Sequence, residues 1–347
     1  MLITIANFQM TVIEVIFDCL SNCMCYQGWC YLSFRIIQVA SALLMFITLS
    51  GAAETTCSTQ CSCSPSPQFP GLLSVDCSKR SLISIPNDLP LNTAHLNLFF
   101  NDLKEIPADA FAKIPNLRTL NLINAGVNKI HANAFRGCAK LTYLNLLLNP
   151  IIMLDEDAFA GLESLRELEI SKTHLSSLPT GLFRDLSSLT TLKLNDNKLQ
   201  EIQDGLLQPL LTLSYLKLSG NELTEIREGT FKNLYSLNTI YFNGNKISKI
   251  HPKSFHATPS LVLLDFSYNH IRHLHPDTFS KLTSYHHVIY LTYLRQLECN
   301  CDTTEAILKI QKIQVLMGSC HGDGSNIQLR KLRLKGKWLH SSKYRWV

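Results

Sequence analysis

The sequence contains no Gly-x-Ser-x-Gly, no His-Glu-x-x-His, no phosphate-binding loop and no dinucleotide fingerprint. None of the familiar catalytic constellations is therefore present, and the chain is read as non-enzymatic, with no cofactor. It has no Asn-x-Ser/Thr site either, so N-linked sugar shields no face. Cysteine is scarce through the middle: Cys138 stands alone between Cys77 and Cys299, although the whole chain has 12. Long apolar runs are missing too. The best candidate, Ile36 to Leu49, falls short of the ~20 residues of a membrane span. An excess of one charge is also lacking except at one end. The chain carries +5 in total, yet residues 329–347 hold seven positive charges and no acid, which leaves the rest near −2. A basic pI here is no argument for nucleic acid.

What is present is globular in composition, 46% hydrophobic and 17% charged. The cysteines cluster as Cys19, Cys23, Cys25 and Cys30, then Cys57, Cys61, Cys63 and Cys77, then Cys299, Cys301 and Cys320. Clusters flanking a long cysteine-poor stretch read as staples at the two ends of one structure. Arg35, the apolar run and the small residues Ser50-Gly51-Ala52-Ala53 resemble a secretion signal occupying residues 1–53 and cut near Ala53. An uncleaved signal anchor at the plasma membrane is the alternative, and Met24 is a more ordinary start. Either reading places the remainder in an oxidising compartment.

From Thr93 the sequence repeats every 24 residues. Leu117, Leu141, Leu165, Leu189, Leu213, Leu237 and Leu261 hold the first position. The fourth and sixth are apolar throughout, from Leu96 and Leu98 to Leu264 and Phe266. The ninth reads Asn101, Ala125, Asn149, Thr173, Asn197, Asn221, Asn245 and Asn269, and further along run Phe111, Phe135, Phe159, Phe183, Leu207, Phe231, Phe255 and Phe279. Alternating apolar residues mark a short strand with one buried face. A single repeat cannot bury that face, so the copies must stack. This pattern, LxxLxLxxNxL, resembles the leucine-rich repeat family over eight unbroken copies.

The resemblance implies an α/β solenoid, a horseshoe with a parallel concave sheet and disulfide caps. The expected parts are a cap at 54–92, eight repeats at 93–284, and a degenerate repeat with an incomplete cap at 285–347. In the family the ninth-position asparagine satisfies turn backbone groups, so Ala125 and Thr173 predict looser rungs. Four cysteines before the first repeat allow three connectivities. The family's N-terminal flank implies Cys57–Cys63 and Cys61–Cys77. Its C-terminal flank implies Cys299–Cys320, a helix over Thr304 to Val315, and a free Cys301. Leu334-Lys335-Gly336-Lys337-Trp338-Leu339 is similar to that flank's last segment, whose final cysteine is missing. Residues 282–298 contain two extra residues and no ninth-position asparagine.

Function is expected in binding. Outward strand positions are free of the core and list as two columns, in which Tyr143, Glu167, Glu169, Lys193, Tyr215, Lys217 and Tyr241 mix tyrosine with charge. The expected partner is an extracellular or cell-surface protein of ligand, matrix or adhesion type. Alternatives are the ectodomain of a membrane-anchored receptor or an inhibitor of an extracellular enzyme. The basic end offers a rival site for a sulfated glycan, and nucleic acid is not expected. Phe99, Phe100, Ile123, Leu147 and Leu148 form an apolar patch, with contact to the cap as its bland explanation. His270, His273 and His275 suggest a metal. However, His251 and His275 each precede proline at one repeat position, and no ligand set completes a shell. Cys138 reads as a small buried residue rather than a reactive thiol.

Overall fold

The computed structural model describes residues 57–282, 288–294, 297, 298 and 303, with the backbone of 314–317, 320–322 and 325–327. The chain divides into two compact units, Met1–Thr55 and Thr56–Val347, and every described residue belongs to the second. The expected signal at 1–53, the basic segment 329–347, Cys299, Cys301 and the side chain of Cys320, and with them the implied Cys299–Cys320 pair, lie outside the described residues.

Eight short strands recur at the repeat spacing: Thr93–Asn97, Thr119–Asn121, Tyr143–Asn145, Glu167–Glu169, Thr191–Lys193, Tyr215–Lys217, Thr239–Tyr241 and Leu263–Asp265. We number them rungs one to eight. Each pairs in parallel with the next, every residue facing the one 24 positions on. The leucines of the first, fourth and sixth positions are buried in one continuous core. That shared core is what holds strands of only three residues, since none could close a hydrophobic face alone. On the far side of each coil Phe111, Phe135 and Phe159 stack, as do Phe231, Phe255 and Phe279, with ring centroids 5.5–6.1 Å apart. Phe183 and Leu207, buried in the same series, lie between the two stacks. Cys138 is buried, and burial pushes its thiol up to about 12, which suits a packing residue.

A hairpin of Ser62–Pro65 and Leu73–Asp76 covers the first rung; its second strand pairs in parallel with Thr93–Asn97. Disulfides Cys57–Cys63 and Cys61–Cys77 tie it down, the pairing that the resemblance implies. At the other end Val288–Leu291 continues the sheet beside Leu263–Asp265, with Val288 opposite Leu263, an offset of 25. One of the two extra residues therefore precedes this ninth strand, and Leu294 stands, buried, where six of the eight earlier rungs have asparagine. The helix expected over 304–315 is corrected at its end. Gln314–Met317 is a strand paired with Val288–Leu291, because that edge offers unpaired N–H and C=O groups which a helix would leave unsatisfied; residues 304–313 are outside the described set.

The asparagine ladder works as a bridge between rungs. Asn221 Nδ2 donates to the carbonyls of Leu194 and Leu218, while its Oδ1 accepts from the Leu199 N–H. Asn245 and Asn269 repeat the arrangement. Rung two, with Ala125, substitutes backbone for side chain: the Ala125 carbonyl accepts from the Leu103 N–H at 2.9 Å. Loosening there is thus offset by a main-chain bond. Thr173 donates its hydroxyl to Asn197 Oδ1, keeping part of the ladder.

Candidate partner-binding face

The strands put the third and fifth repeat positions on the exposed side of the long sheet. The parallel register then lines them up across rungs: Tyr143 faces Glu167, Glu167 faces Thr191, Thr191 faces Tyr215, and Lys193 stands between Glu169 and Lys217. All seven sequence-predicted residues sit half-buried in one contiguous strip over rungs three to seven. At their centre Lys193 Nζ reaches Glu167 at 2.5 Å and Glu169 at 3.4 Å. Burial disfavours the Lys193 ammonium. The hydrogen bond to Glu167 and the fields of both carboxylates outweigh that penalty and raise the pKa. One rung on, Lys217 has no ion-pair partner among the described residues. Beside it Tyr215 and Tyr241 pack with ring centroids 5.7 Å apart, tilted by 52°. Burial, followed by the neighbouring Tyr241, pushes the Tyr215 hydroxyl up.

The column at the fifth position runs Asn97, Asn121, Asn145, Glu169, Lys193, Lys217, Tyr241 and Asp265, and half of it has another duty. The side-chain oxygens of Asn97, Asn121, Asn145 and Asp265 each accept the N–H two residues on, at 2.8–3.2 Å. These positions are not free of the fold, as the strand alternation suggested. They close the turn that leaves the strand. Asparagine recurring on the first three rungs was the signal for this in the sequence. Glu169, Lys193, Lys217 and Tyr241 make no such bond, so the adaptable part of the column coincides with the strip. Tyr143 is anchored by Asn145 Nδ2 donating to its hydroxyl at 2.7 Å.

The histidines do not converge. The Nδ1 atoms of His251 and His275 accept the N–H two residues on, from Lys253 and Asp277, so both close turns. No group of three His, Cys, Asp or Glu among the described residues is placed to hold a metal.

Family comparison accounts for the same stretch. A model described as BspA type leucine rich repeat region matches residues 104–221, and one described as leucine rich repeat matches 212–271 and 244–287. Together they run unbroken over more than half of the chain. The chain belongs to the leucine-rich repeat family. Among curated leucine-rich repeat proteins, it is 38% identical over 77 residues to leucine-rich repeat-containing protein 3 of Rattus norvegicus, 22% of this chain and 29% of that one. It is 34% identical over 76 residues to the human leucine-rich repeats and immunoglobulin-like domains protein 1, 22% of this chain and 6% of that one. The chain thus spans less than a third of the length of these relatives. The crystal structure of human 5T4 superposes with a TM-score of 0.55 at 23% identity, covering 76% of this chain and 90% of that one, a likeness of fold. These relatives are extracellular or membrane leucine-rich repeat proteins, and the family typically supplies protein-binding scaffolds without enzymatic activity.

Proposed function

We propose that this leucine-rich repeat chain acts outside the cell and recognises a cell-surface or matrix protein through the strip of Tyr143, Glu167, Glu169, Lys193, Tyr215, Lys217 and Tyr241. The observation that carries the reading is the strip itself. Five strands in unbroken register present tyrosine and charge side by side, with no loop that has to order on binding. Adjacent rungs stand about 4.8 Å apart, so the strip extends for roughly 20 Å, enough for a recognition core. The tyrosines supply rigid contact area. The bridged Lys193 has already lost part of its hydration and side-chain freedom, so little more is lost when a partner covers it.

The test is a binding panel of purified cell-surface ectodomains against the full chain, a Tyr215→Ala/Tyr241→Ala variant, and a chain ending at Leu329. The double variant should lose about thirtyfold in affinity, some 2 kcal/mol, and the shortened chain should bind normally. The opposite pattern, with binding that weakens steeply as salt rises, would move the site to the basic end and its sulfated-glycan reading.

A further inference from the structure

The repeats provide their own controls at the turn leaving each strand. The seventh position is polar in rungs four to nine: Ser171, Asn195, Ser219, Asn243, Ser267 and Thr292. These side chains bond across rungs, Ser171 to Asn195 at 2.8 Å, Ser219 to Asn243 at 2.6 Å and Thr292 to Ser267 at 2.7 Å. The eighth position is left-handed in every rung, with φ between 49° and 71°. Asn124, Asp196, Gly220 and Gly244 tolerate that conformation, whereas bulky side chains resist it.

Rungs one to three break the first rule, and rungs one and three the second as well. They carry Phe99, Ile123 and Leu147 at the seventh position, and Phe100 and Leu148 at the left-handed eighth. Phe100 remains 54% exposed and Leu148 46%. The cap touches this patch through Lys79, whose Nζ lies 5.7 Å from the Phe99 ring, but it leaves those two side chains uncovered. Rungs eight and nine also place large residues at the eighth position; there Tyr268 and Tyr293 stack at 4.3 Å, polar-tipped side chains that stay 57% and 61% exposed. Phe100, beside the Phe99 ring at 5.9 Å, and Leu148 pair an unfavourable backbone with exposed side chains that carry no polar group, a combination that marks binding rather than folding.

We propose that Phe99, Phe100, Ile123, Leu147 and Leu148 form a second docking surface, and that its occupant is an extended segment of a protein partner carrying apolar side chains between carboxylates. The charges choose the occupant. Lys79 lies one rung before the patch, donating its N–H to the Phe99 carbonyl, and Lys172 one rung after, next to the Ser171 carbonyl that Leu148 N–H contacts. Neither ammonium has an ion-pair partner among the described residues. Nearby Asp102 is already bound to Lys104 at 2.7 Å, and Asp196 accepts from Asn195 at 2.8 Å. Four rung steps separate the two lysines, about 19 Å, which an extended peptide crosses in roughly six residues.

A phage-displayed random peptide library panned on the full chain tests this, with affinities read by fluorescence anisotropy. Selected peptides should carry more Asp and Glu than Lys and Arg around an apolar pair. They should bind Phe100→Gly/Leu148→Gly at least tenfold more weakly, while that variant melts at the same or a higher temperature because glycine suits the left-handed site. Lys79→Glu/Lys172→Glu should lose the same peptides. Absence of selected peptides, equal binding to the glycine variant, no excess of acid, or a lower melting temperature would each overturn the proposal. So would sedimentation showing a wild-type dimer that the glycine variant dissolves, since the occupant would then be a second copy.

Discussion

The carbonyl of Ala125 accepts the N–H of Leu103 at 2.9 Å, the bond that an asparagine side chain accepts in later rungs. Gly126 follows at φ +72, and a Cβ there would lie 2.8 Å from Asp102 Oδ1 and 2.9 Å from Asp102 Cα. Gly126→Ala should therefore destabilise by about 1–3 kcal/mol. Gly161→Ala, at φ +79 with nothing within 4 Å of the new Cβ, should cost about 1 kcal/mol. Equal denaturation midpoints for the two variants would show that the Ala125 turn is not held by close approach.

Asn149 holds more backbone groups than Asn221, Asn245 or Asn269, which accept one N–H each, because the rung before it lacks asparagine. Its Oδ1 accepts from Ala125 and Val127, both at 3.0 Å, and its Nδ2 donates to Leu122 and Leu146 at 2.7 and 2.9 Å. Asn149→Ala strands these buried groups and should cost about 3–5 kcal/mol, at roughly 1–3 kcal/mol per unsatisfied group with partial relaxation. Asn101→Ala, at the less buried first rung, should cost clearly less. Chemical denaturation of the two variants decides it.

Strand register and core were legible because a 24-residue period fixes which side chains face in, and one error would expose every leucine of a rung. The strip from Tyr143 to Tyr241 followed from the same ruler. The turn-closing role of Asn97, Asn121 and Asn145 was less visible, since alternation treats all outward residues alike and only the recurrence of asparagine hints at a bond. The left-handed eighth position was obscured for a different reason. Gly220, Gly244, Asn124 and Asp196 announce it, but Phe100, Leu148, Lys172 and Tyr268 occupy it against propensity. Gln314 and Val315 fall at the end of the helix that the flank resemblance implies, but the sheet edge at Val288–Leu291 supplies hydrogen bonds that draw them into a strand, a partner that the local sequence does not show.

The charge network predicts a loss of stability in alkali. Lys193 has its pKa raised above the ordinary 10.5, and Tyr215 is raised above 10.0, so the folded state holds both protons more tightly than the unfolded chain. That contribution is complete below pH 10 and is lost as the pH rises through the folded-state values. Thermal melts from pH 8 to 11 should fall more steeply for the wild type than for Lys193→Met/Tyr215→Phe. Parallel curves would mean that neither group is coupled to folding.

The cap should set where unfolding starts. Cys61–Cys77 joins residues 16 apart and ties the hairpin to a buried position, whereas Cys57–Cys63 spans only 6. Loop closure alone gives about 3 kcal/mol for a 15-residue loop and less for a shorter one. Cys61→Ala/Cys77→Ala should therefore destabilise by about 3 kcal/mol, and Cys57→Ala/Cys63→Ala by less. Position matters as much as size. Val75, Cys77 and Leu82 are buried at the end of the core, and in a stacked array each rung is stabilised by its neighbours. Releasing the hairpin exposes rung one first. Hydrogen exchange should then accelerate at Thr93–Asn97 and Thr119–Asn121 while Tyr215–Lys217 stays protected. Uniform acceleration along the solenoid would instead mean that the rungs unfold as one cooperative block, and unchanged exchange at rung one would mean that the disulfide contributes nothing to holding the end.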